Sequence, residues 1–133
     1  MSDSDTETAD NSQKDGTETA EARLERTGLS SLQLADDASA AVAKTENRVA
    51  LQRLQEKVVA EEFLHPASIP HMTIAVLITE NGFALVGKAA PADAENYNEE
   101  LGQKFAREDA MRQLWPLEAY LLRQSMWEKS QES

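Results

Sequence analysis

The sequence predicts an α+β domain made of a helix, a two-stranded antiparallel β-hairpin and one or two C-terminal helices, behind a disordered acidic tail. Three observations carry this prediction. Asn81-Gly82 separates two strand-like runs, apolar residues recur at spacings of three and four on either side of them, and residues 1–30 contain no Phe, Trp, Tyr, Ile or Val.

The tail comes first. Residues 1–40 carry ten acids against Lys14, Arg23 and Arg26, whereas residues 41–133 carry fourteen acids against ten bases. A stretch so polar cannot bury enough surface to offset its ordering entropy, so residues 1–40 are expected to be disordered and 41–133 to form the single domain. Leu29, Leu32 and Leu34, followed by Asp36-Asp37, read as a loose linker, with a partner-docking motif as the alternative.

The first helix is expected to start at an N-cap on Thr45 and to run to about Leu64, where Pro66 discourages continuation. Leu51, Leu54 and Val58 would share one face, with Val59 and Phe63 alongside. His65 to His71 contains Pro66 and Pro70 and reads as an extended connector. Its two histidines lack a third ligand at a metal-binding spacing, so no metal site is expected.

Met72 to Thr79 is rich in β-branched residues, and Asn-Gly is the preferred dipeptide of a two-residue type I′ turn. Phe83 to Ala90 then resumes the strand pattern. A two-residue loop sets Ile78 opposite Leu85, Val76 opposite Gly87 and Ile74 opposite Ala89. Both faces of that ribbon are apolar, and two strands alone are marginal in water, so helices must cover it or its edges must pair with another subunit.

Asn98 is expected to cap a helix whose first turn holds Glu99 and Glu100, with Leu101, Phe105, Ala106, Ala110 and Leu114 as its buried stripe. Glu100, Lys104, Glu108 and Arg112 form a charge ladder on another face. Pro116 is expected to break or kink the helix before a second piece through Leu117, Tyr120 and Leu121.

Composition excludes several function classes. The chain has no cysteine, hence neither a disulfide framework nor a thiolate metal site. Its N-terminus has no basic segment followed by an apolar one, and no apolar window reaches membrane-spanning length, so a soluble, cytoplasmic protein is expected. A net charge of −11 argues against binding nucleic acid directly, although an acidic DNA mimic stays open as a reading. No nucleophile elbow, P-loop or dinucleotide-binding glycine pattern is present, so no catalytic residue, cofactor or enzymatic activity is expected. What remains suits a small anion bearing a flat ring: Lys88, Arg107, Arg112 and Arg123 for phosphates, and Phe83, Tyr97, Trp115 and Tyr120 for stacking.

Several short motifs occur in order: Asn81-Gly82-Phe83, Val86-Gly87, Glu95-Asn96-Tyr97-Asn98, Glu100-Leu101-Gly102 and Trp115-Pro116-Leu117-Glu118-Ala119-Tyr120-Leu121-Leu122-Arg123. Over roughly residues 47–124 the chain resembles a small tailed-phage and prophage family labelled gene product 49 in one phage and gene 66 in another. Ala119 stands where that family's pattern has Gly. The hairpin-then-helices order is also similar to the Thoeris anti-defence proteins, which sequester a cyclic ADP-ribose signal between subunits. This second resemblance implies a homo-oligomer that captures a small signalling nucleotide in the host bacterial cytoplasm, with Phe83, Arg107, Arg112 and Arg123 as the first ligand-binding residues to test. The alternative is a module that binds and modulates a host protein.

Overall fold

The computed structural model describes residues 31–132, so the disorder expected for the first thirty residues lies outside the described residues. Where a linker was expected, Ser31–Val42 instead form a helix, α1, supported by a Gln33–Asp37 side-chain hydrogen bond one turn apart. Ser39–Ser133 make up one compact unit. Within it follow α2 (Leu51–Lys57), β1 (Val58–Leu64), β2 (Thr73–Thr79), β3 (Ala84–Ala89), a 3-10 turn at Ala94–Asn96 and α3 (Glu99–Glu132).

The α+β class holds, but the sheet has three antiparallel strands in the order β1-β2-β3 rather than two. The long first helix is the error. Thr45 caps only a local turn through Asn47 N, the helix starts at Leu51, and it ends at Lys57 as the chain turns extended at Val58. Val58 and Val59 are β-branched, and the hairpin needed another strand to become stable. A bulge between Val58 and Ala60 absorbs the change from helix to strand. The connector from His65 to His71 also differs from its extended reading: Ile69 N bonds Pro66 O and Met72 N bonds Ile69 O, two turns that reverse the chain into β2.

The hairpin lies where expected, with a different loop. Thr79 N bonds Phe83 O, Gly82 N bonds Thr79 O, and Gly82 has φ +89°. This is a three-residue loop, a turn closed by a left-handed glycine, in place of the two-residue type I′ turn. Thr79 Oγ1 and Asn81 Oδ1 also accept from Phe83 N, which holds the third residue in place. The register consequently slips by one: Ile78 faces Ala84, Leu77 faces Leu85 and Val76 faces Val86. A slip of one exchanges the faces of one strand relative to the other. Thr73, Ala75, Leu77 and Thr79 therefore join Leu85 and Gly87 on the buried face, while Ile74, Val76 and Ile78 share the open face with Ala84 and Val86.

One long helix covers the buried face. Asn98 Oδ1 accepts from Leu101 N, so the expected N-cap is present, and α3 continues through Pro116 as one helix. Ala106, Ala110 and Leu114 pack on Ala75, Leu77 and Leu85, all 5% exposed or less. Gly87 permits this approach, because a Cβ there would overlap Ala106 O and Ala110 N. Glu108, read as part of a surface ladder, is buried. At about 51 Å, α3 is more than twice the length of a seven-residue strand and extends past the hairpin.

Candidate functional site

The hairpin tip and the middle of α3 border a half-open cavity of about 300 Å3, lined by Thr79 to Asn81 and Phe83 from the hairpin, Lys57 from the end of α2, and Leu114, Leu117, Glu118, Tyr120 and Leu121 from α3. That volume is at the lower end of small-molecule sites. Its position follows from the fold. The α3 stripe that covers the sheet through Ala106, Ala110 and Leu114 continues at helical spacing into Leu117 and Leu121, where the sheet beneath has ended in the loop.

The walls are apolar with a rim of paired charge. Lys57 Nζ lies 2.9 Å from Glu80 Oε2, and buried Glu118 accepts from Arg53 Nε at 3.1 Å. These pairs largely cancel the charge around the opening. Phe83 and Tyr120, 53% and 67% exposed, line the mouth. Trp115 does not line the cavity; its Nε1 donates to Val49 O at 2.8 Å, tying the segment before α2 to α3.

Of the four residues expected to bind ligand, Phe83 lines the cavity and the three arginines do not. Arg107 makes a two-pronged contact with Glu61, Nε to Oε1 at 2.8 Å and Nη2 to Oε2 at 3.0 Å, and stacks over Phe63 at 5.2 Å. The hydrogen bonds from Arg107 hold the Glu61 carboxyl below its ordinary pKa, and Glu61 in turn raises that of Arg107. Arg112 and Arg123 lie on the far side of α3 from Arg107, and Arg107 and Arg123 are about 24 Å apart along the axis. Helical geometry therefore spreads the three arginines. Of the remaining candidates Tyr120 lines the cavity, Tyr97 packs edge-on against His65 at 6.0 Å, and Lys88 lies on the open sheet face.

Lys57, Glu80, Leu117, Glu118 and Leu121 were missed as site residues. A signal for three of these was present, because Leu117, Glu118 and Leu121 share the Trp115-Pro116 motif with Tyr120, while Asn81 and Phe83 belong to the turn motif. The two motif segments meet at this cavity. Among the described residues no three His, Asp or Glu side chains gather as metal ligands, and no helix is long and apolar enough to cross a membrane.

The chain matches the Phage protein (N4 Gp49/phage Sf6 gene 66) family over residues 37–126. It belongs to that family. The matched span runs from within α1 to within α3 and includes every residue lining the cavity. No curated protein and no solved structure matches the chain.

Proposed function

We propose that this phage protein is a non-enzymatic binder that acts as a homo-oligomer in the host cytoplasm and sequesters a small signalling nucleotide, countering host immunity. The carrying observation is the convergence of the Asn81-Gly82-Phe83 and Trp115-to-Leu121 segments on one apolar cavity with two aromatic rings at its mouth. Phe83 and Tyr120 suit a flat purine ring, which stacks on aromatic faces with little demand for hydrogen-bond geometry. The neutral rim suits the ring better than the phosphates. A phosphate would have to take Lys57 from Glu80 or meet cations of another subunit.

Incubation with adenine-based cyclic nucleotides followed by ultrafiltration tests this reading. Retention of one of them with the protein, and its recovery intact after heating, is the expected result. Complete recovery in the filtrate removes the nucleotide, and conversion to a new species removes the non-enzymatic assignment.

A second reading, a module that modulates a host protein, is favoured by the exposed Leu117, Tyr120, Leu121 and Trp127 on the projecting half of α3. A stoichiometric host protein captured by the wild-type chain and lost with Leu121→Glu supports it.

A further inference from the structure

The two outer edges of the sheet differ. On β3 two outward backbone groups are taken by α3: Lys88 N donates to Asp109 Oδ2 at 3.0 Å, and Val86 O accepts from Gln113 Nε2 at 2.8 Å. Backbone groups in an antiparallel ladder alternate between the two sides of a strand. Val86 and Lys88 therefore direct their groups outward, and their partners Val76 and Ile74 direct theirs away from β3, toward β1. There they meet Glu62 and Leu64, with Ile78 likewise meeting Ala60. Glu61 and Phe63, past the bulge at Val59, thus point their N–H and C=O groups out of the sheet, and among the described residues nothing closes this edge.

We propose that β1 is a self-pairing edge, on which a second copy of this chain lays its own β1 antiparallel about a two-fold axis at Glu61, fusing the two sheets into one. The proposal rests on the self-association in the proposed function and supplies its surface, without depending on the ligand. Centring the axis on Glu61 sets Glu61 against its equivalent and brings Phe63 opposite the bulge at Val59 of the other copy. Like charges directly opposite one another would normally oppose this register. Here each Glu61 is already held in two places by Arg107, so the centre is a row of alternating charge. The first thirty residues are a poor occupant by comparison, because their eight acids would lie against Glu61 and Glu62. The α3 contacts on β3 have their own consequence. A strand laid on β3 would have to displace Asp109 and Gln113, so pairing through β1 is expected to stop at two copies instead of running on into a filament.

Three measurements test the pairing. Sedimentation equilibrium of the full chain should give twice the 14.7 kDa chain mass. Glu61→Pro, which removes an outward donor and leaves the ladder to β2 intact, should return the mass to one chain with an unchanged circular dichroism spectrum. In this cysteine-free protein Glu61→Cys should oxidise to a disulfide-linked pair, since facing residues of a hydrogen-bonded pair lie about 5.5 Å apart. Should Glu61→Pro fail to fold, hydrogen exchange of the wild type decides: the amides of Glu61 and Phe63 should exchange at least about tenfold more slowly when assembled than after dilution.

A single-chain mass at all concentrations overturns the proposal, as does a Glu61→Pro protein that keeps the double mass, or fast exchange at these amides in the assembled protein. A single chain carrying an extended host peptide on β1 overturns it in favour of that occupant. Failure of the ligand reading is distinguishable: a double-mass protein that leaves all nucleotide in the filtrate upholds the edge pairing, whereas a single-mass protein that retains nucleotide rejects the pairing alone.

Discussion

Gly87 and Glu61 show how much single residues determine here. At Gly87 the helix backbone occupies the space of a side chain, so Gly87→Ala must push α3 off β3 and open the contacts of Ala106 and Ala110. We expect a loss of about 1–3 kcal/mol, read as a lower denaturant midpoint with an unchanged slope. Glu61 acts through charge. Its pKa is lowered in the folded protein by Arg107, so as the pH falls the unfolded chain takes up that proton first. The contribution of the pair is therefore complete above the ordinary glutamate range and is lost as the pH falls through the lowered value. Both side chains are more than a third exposed, which limits the contribution to about 1 kcal/mol or less. Wild type should exceed Glu61→Gln in unfolding free energy from urea titration at pH 7 by that amount, with the gap narrowing as the pH falls below the ordinary glutamate range when both are measured at one protein concentration. The Glu61–Arg107 pairing was not legible in the sequence, because it joins β1 to the middle of α3 and β1 was itself read as helix.

Elements were legible where a local rule decided them and illegible where the sheet decided. Asn98 capped its helix and Asn81-Gly82 turned its hairpin because both depend on residues within a turn of each other. The register did not follow, since Thr79 and Asn81 together stabilise a loop one residue longer than the dipeptide alone suggests. Val58 to Leu64 carries enough apolar spacing to extend a helix, but pairing with β2 gives its backbone a ladder that the helix could not combine with a covered hairpin. Pro116 is the reverse case. The local rule forecast a break or kink, and one helix runs through it, exposed at that point and with Leu114 and Glu118 buried before and after it. A proline in a helix interior lacks a donor and crowds the preceding turn, at a cost of about 3 kcal/mol relative to alanine. Pro116→Ala should therefore stabilise the protein by about 1–3 kcal/mol, seen as a raised midpoint of thermal unfolding. A lowered midpoint would mean that the proline shapes the cavity wall in a way the helix needs.

In the whole molecule the candidate binding surface and the candidate pairing edge are separate. The cavity lies at the hairpin tip, while Glu61 is about 13 Å along β1 from Lys57 at the cavity wall. The convergence of the two motif segments could not be read from the sequence, because it depends on α3 running back along β3 and past its end. Separate surfaces predict separable losses. Leu121 is half exposed and lines the cavity, so Leu121→Glu sets a charge against the apolar wall and the rings of Phe83 and Tyr120 while removing little buried area from the core. We expect a stability change of less than about 1 kcal/mol. Retention of nucleotide, or capture of a host protein, should be lost, with the assembly mass unchanged from wild type. Glu61→Pro should show the opposite division if the cavity is complete within one chain: a single-chain mass with ligand still retained. Loss of both properties in Glu61→Pro would instead place part of the ligand's contacts, the missing phosphate partners first among them, on the second copy.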